Sequence, residues 1–116
     1  MNRSVIDLQG AALDWAVAKC IYEPDDVVIC EGRVFAYDDA TKGFNPPTNW
    51  AQGGPIIERE MISIEWTGED WMAYIFHDEE CFGPTPLIAA MRCYVASKLG
   101  DEVEVPEELT QGEQNA

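Results

Sequence analysis

Apolar residues recur at helical spacing in two stretches of the chain. In the first, Leu13, Ala16, Val17 and Cys20 share one face while Asp14 and Lys19 turn away. That spacing predicts a helix over about 8–20, with Asp7 as its N-cap. In the second, Leu87, Met91, Tyr94 and Val95 make the stripe, flanked by Ile88 and Leu99. Here Thr85 is the expected N-cap and Pro86 the first helical residue; Lys98 suits the last turn, and Gly100 is expected as a left-handed cap.

Other stretches read as strands. Val27-Val28-Ile29-Cys30 is a β-branched run, and Val34 to Tyr37 is expected to pair with it across Glu31-Gly32. Met61 to Trp66 alternates, with Ile62, Ile64 and Trp66 on one side and Ser63 and Glu65 on the other. Thr67 to Asp70 connects it to a returning strand, Trp71 to Phe76. Residues 4–6 and 101–105 are shorter strand candidates. Residues 23–26, 38–44 and 77–82 read as turn or loop. The predicted fold is α+β: a small antiparallel sheet with two main helices packed on one face. One domain over 1–105 is expected, followed by an acidic disordered tail, 106–116.

Asn45 to Glu60 fits neither period. Pro46, Pro47, Gly53, Gly54 and Pro55 interrupt it, and Trp50 sits among polar residues. The pattern predicts a loop to Gly54 and a short helix over 56–60, with Pro55 at its first position. Gly53-Gly54 would let backbone amides approach a ligand. Free amides after Pro55 would favour an anion, and those near Thr85 would offer a second such place. Arg59 and Arg92 are the cations suited to complete a pocket. Trp50 would stack on a ring, and Thr48, Asn49 and Gln52 would read polar edges. The competing reading is structural: Trp50 fills the core, and Arg59 pairs with Glu58 or Glu60. Trp15, off the main stripe of its helix, is either a core-edge aromatic or a ligand or partner contact.

Charge narrows the partners. Twenty-two acids against seven bases give a net charge of −15. Direct nucleic-acid binding and anionic membranes are disfavoured, because both need clustered Lys and Arg. A basic host protein is attracted, and mimicry of DNA is one form of that. No apolar run reaches membrane-spanning length, and the N-terminal stretch does not read as a signal segment. Reduced thiols in a cytosol are therefore expected for Cys20, Cys30, Cys81 and Cys93. His77 with these cysteines lacks the spacing of a zinc site. No phosphate loop, dinucleotide fingerprint or nucleophile elbow is present. No catalytic residue, metal or cofactor is assigned, and a homo-oligomer is left open.

Three blocks carry a resemblance. Gly10-Ala11-Ala12-Leu13-Asp14-Trp15-Ala16-Val17-Ala18-Lys19-Cys20 is the first, Thr48 to Glu60 the second and Gly83 to Gly100 the third. Together they resemble the NinX-like family of small proteins from lambdoid phages and prophages, a domain of unknown function. In that family the second block is commonly followed by a glycine, where this chain has Met61. The resemblance implies a phage or prophage accessory protein acting in a bacterial cytosol, and it supplies no activity and no catalytic residues. The leading expectation is a protein that sequesters a small anionic, nucleotide-derived ligand. An acidic module or DNA mimic that blocks a basic host factor is the alternative, and a small metal-dependent hydrolase the third.

Overall fold

The computed structural model describes residues 2–36, 43–76 and 80–109. At its centre is helix α3, Pro86–Leu99, buried at Leu87 and continuously from Ala89 to Val95. Its start is fixed as its residues dictate. The Thr85 hydroxyl accepts from the Ile88 amide at 3.1 Å, and the Thr85 carbonyl accepts from Ala89 at 3.1 Å. Gly100 ends the helix at φ 91°, ψ −168°, a positive φ outside the left-handed helical region expected of it.

One three-stranded antiparallel sheet packs on α3. Its strands are β4 (Ser63–Trp66), β5 (Trp71–Tyr74) and β6 (Cys81–Gly83), in that order. The expected hairpin is β4–β5, with Ile64 opposite Ala73 and Trp66 opposite Trp71. Strand β6 lies where a loop over 77–82 was expected. Three residues are too few for a period-two signal, so only pairing with β5 reveals them. Ala73 and Cys81, opposite each other, face the core and are buried.

Helix α1 (Gly10–Ile21) buries Leu13, Ala16 and Val17 as its stripe predicts. It begins later than expected, and Asp7 does not cap it. Val5–Asp7 forms a 3-10 turn instead, and Leu8 goes into the core. Strands β2 (Val27–Cys30) and β3 (Arg33–Ala36) form a hairpin. Its two-residue turn, Glu31-Gly32, has φ of 51° and 75°, the left-handed values such a turn requires. Strands β1 (Asn2–Ser4) and β7 (Glu102–Glu104) pair antiparallel and join the two ends of the fold.

The α+β class is thus what the structure shows, with its strands divided among three small antiparallel sheets. Beyond β7, Glu107–Leu109 makes a 3-10 turn and Leu109 is buried, in a stretch expected to be tail. The expected end of β3 at Tyr37, most of the 38–44 loop, His77 and the tail over 110–116 lie outside the described residues.

The largest departure concerns Asn45 to Glu60. Helix α2 runs Trp50–Glu60, straight through Gly53, Gly54 and Pro55. Intrinsic propensity argues against this by about 1 kcal/mol for each glycine and ~3 kcal/mol for an interior proline. Tertiary packing outweighs it. Gly53 and Ile56 are buried and Ile57 packs on the core, a helical spacing that faces α3. Pro55 removes a hydrogen bond to the Ala51 carbonyl. Both residues are exposed, so water can take the freed oxygen.

Candidate functional site

The residues expected to bind a ligand mostly hold the fold together. Asn49 is the N-cap of α2: its Oδ1 accepts from the Ala51 amide at 3.0 Å. Its carbonyl accepts from Gln52 at 3.0 Å and Gly53 at 2.8 Å. The first free amides of the helix are therefore those of Trp50 to Gly53, not those after Pro55, and three of them are taken. Gln52 spans the preceding segment, accepting from the Asn45 amide at 2.6 Å and donating to the Gly43 carbonyl at 3.0 Å. Thr48 Oγ1 accepts from Asn45 Nδ2 at 3.3 Å and donates to the Asn45 carbonyl at 3.3 Å. A Cβ on Gly53 would stand 2.5 Å from the Pro46 carbonyl oxygen and 2.7 Å from Leu87 Cδ1. Gly53 thus brings α2 against α3, while Gly54 faces open space.

The two arginines do not meet. Arg92 is buried, and donates from Nε to the Leu8 carbonyl and from Nη1 to the Phe82 carbonyl, each at 2.8 Å. Burial lowers its pKa, against the pull of Asp7. Arg59 lies near Tyr94, two residues further along α3 and about 200° around the helix. Its Nε donates to Glu60 Oε2 at 3.0 Å and its Nη2 to the Tyr94 hydroxyl at 3.4 Å. Lys98 closes this group at 3.4 Å from Glu60 Oε1. The hydrogen bond with Glu60 raises the Arg59 pKa, and the same bond lowers that of Glu60. Trp50, on the first residue of α2, is 55% exposed and does not fill the core. Thr85 is engaged in its own cap. Arg59 beside Glu60 is the ion pair that the structural reading expected.

Two surfaces stand out instead. The first is the face of the β4–β5–β6 sheet turned away from α3. Side chains alternate along a strand, so Met72 and Tyr74 point opposite to buried Ala73, and Phe82 opposite to buried Cys81. Met72 and Phe82 are directly opposed across β5 and β6. Phe82 is 45% exposed, and Phe76, just beyond β5, is 70% exposed. Glu65, opposite Met72, accepts from the Tyr74 hydroxyl at 3.4 Å, and exposed Glu80 precedes β6. The face is an apolar centre bordered by acids.

The second is a groove of about 400 Å³ where α1 ends. Trp15, Lys19 and Tyr22 recur there at i, i+4 and i+7, and Cys20, Glu23, Pro24 and Val27 complete it. The Lys19 ammonium sits 5.0 Å from the Trp15 ring centroid. Tyr22 is held edge-on against Phe44 at 5.6 Å. Burial pushes the Cys20 thiol up to about 12, so it is a protonated, unreactive wall. Among the described residues no three His, Cys, Asp or Glu side chains form a group able to hold a metal ion. None of Cys20, Cys30, Cys81 and Cys93 is in a disulfide, and no described helix is long and apolar enough to cross a membrane.

Part of this was readable in the chain. The i, i+4, i+7 spacing of Trp15, Lys19 and Tyr22 was visible, but the wall from Pro24 and Val27 depends on the turn after α1. The Met72–Tyr74 alternation was visible as well. Phe82 joins it only because β6 exists.

The fold and these surfaces define a small acidic α+β protein that exposes an apolar sheet face. The chain belongs to the family described as bacteriophage P22 NinX, whose family model matches residues 4–98. That span contains the first two resembling blocks, most of the third, and the segments between them. A search among curated proteins finds no match. Family membership supports a phage accessory protein.

Proposed function

We propose that this phage accessory protein acts by binding a basic host protein against the outer face of its central sheet. The observation that carries the reading is the adjacency of Met72, Tyr74 and Phe82 on a face that no described helix covers, bordered by Glu65 and Glu80. Apolar side chains at the middle of a face supply most of an interface's affinity once water leaves them. The acids around them, and the net charge of −15, steer a cationic partner and repel an acidic one. A second copy of the chain would bring like charges together, so a basic partner is the better fit. A DNA mimic would present carboxylates throughout, whereas this face is apolar at its centre. Sequestration of a small anion at Asn45 to Glu60 has less support, since most of the amides and side chains that motivated it, Trp50 and Gly54 aside, are engaged within the fold. The reading places the work in the host cytoplasm.

The test is affinity capture from a host lysate with the wild type and a Met72→Ser, Phe82→Ser double variant. One basic protein, retained by the wild type, is expected to be lost with the variant. It is also expected to be released near 0.5 M salt, where the Debye length is roughly 4 Å. Capture of the same proteins by the folded variant, or of acidic proteins alone, overturns the proposal. Sedimentation of the wild type alone reports self-association through the same face.

A further inference from the structure

The groove at the end of α1 is made by different elements from the sheet face, and it has its own electrostatics. It lies at the carboxyl end of a 12-residue helix, where the backbone carries partial negative charge and favours cations. Glu23 on its rim adds a full negative charge. Trp15 offers an aromatic ring, whose face attracts cations through its quadrupole. A cation is already seated there: the Lys19 ammonium stands over the Trp15 ring at 5.0 Å. Tyr22, Pro24 and Val27 give apolar walls, and the neutral Cys20 thiol adds no charge. At about 400 Å³ the space falls within the range of small-molecule sites.

We propose that this groove is a binding site for an organic cation of the guanidinium type, which takes the Trp15 face in place of Lys19. A guanidinium is planar, stacks on an indole and is more weakly hydrated than an ammonium, so it displaces the lysine head group on favourable terms. Lys19 stands on an exposed, flexible stem and swings into solvent when displaced. The same chemistry arrives from two sources, a free small guanidine or an arginine side chain of a protein. The inference does not depend on the sheet-face reading.

The test follows the backbone amide resonances of Cys20 to Glu23 during titration with agmatine, with an end-blocked Gly-Arg-Gly peptide, and with propionate as an anionic control. Both guanidinium probes are expected to give saturating shifts, and propionate none. Lys19→Ala is expected to tighten binding by about fivefold, because it removes the internal competitor. Glu23→Gln and Trp15→Leu are expected to weaken it; the leucine keeps an apolar side chain but has no π face. Equal affinity for the two probes assigns the site to free small cations, and tighter peptide binding assigns it to a chain-borne arginine. Absence of saturating shifts overturns the proposal. So does unchanged binding in folded Trp15→Leu, or equal binding of propionate.

Discussion

Arg92 donates from Nε to the carbonyl oxygen of Leu8 at 2.8 Å, across 84 positions of sequence. Its Nη1 holds the Phe82 carbonyl at the same distance. One guanidinium on the central helix thus ties the segment entering α1 to the edge strand β6. A side chain expected to meet an anion is a staple between backbone oxygens.

Removing that staple leaves two carbonyls without their donor. Arg92→Ala is expected to destabilise the fold by about 2–4 kcal/mol, given that hydrogen bonds to charged groups contribute more than neutral ones. Arg92→Lys is expected to recover little, since a point charge cannot reach both oxygens in the fixed fork of a guanidinium. Urea unfolding of the three proteins, compared at equal m-value, checks this. Wild-type stability in the lysine variant would refute it.

Met61 occupies φ 54°, ψ 49° at the end of α2. Its amide donates to the Glu58 carbonyl at 3.4 Å, and the Ile62 amide to Ile57 at 3.0 Å, the bonding of a Schellman cap. A side chain at this positive φ is strained, where a glycine would not be. Met61 is 65% exposed, so it loses little packing when removed. Met61→Gly is expected to raise stability by about 1 kcal/mol, read as a shift in the denaturation midpoint; Met61→Val is expected to lower it.

Adjacent glycines in α2 separate two roles. Gly54→Ala enters open space at ordinary helical geometry and is expected to stabilise by about 1 kcal/mol. Gly53→Ala drives a methyl against the Pro46 carbonyl and Leu87, and is expected to destabilise by roughly 1–3 kcal/mol. Thermal unfolding of both variants checks the sign. Equal effects would mean that α2 does not lie this close to α3.

Burial pushes the Asp14 carboxyl from 3.8 up to about 7. Its folded pKa lies above its unfolded one, so the folded state binds the proton more tightly. Stability from this group is complete below about pH 4 and falls as pH rises toward 7. Asp14→Asn removes the fall. The variant is expected to exceed the wild type by about 2–4 kcal/mol at pH 8 and to match it near pH 4. Denaturation across that interval decides it, and parallel curves would refute the assignment.

Local chemistry determined much of this fold before any tertiary contact was known. Thr85-Pro86 starts α3 because a hydroxyl acceptor and a preset φ act within one turn. The Ile64 and Ala73 strands pair because their alternation and the short Thr67–Asp70 connection are local too. The α+β class, the N-cap of α3 and the two hairpins follow from such short-range rules. Tertiary structure decided the rest. Gly53, Gly54 and Pro55 are poor helix formers, and they are helical because Gly53 and Ile56 pack on α3. Strand β6 is three residues long and has meaning only beside β5. Arg92 reads as a cation suited to complete a pocket until the carbonyls of Leu8 and Phe82 are brought to it. In each case the deciding energy comes from groups far apart along the chain, so no window of sequence contains it.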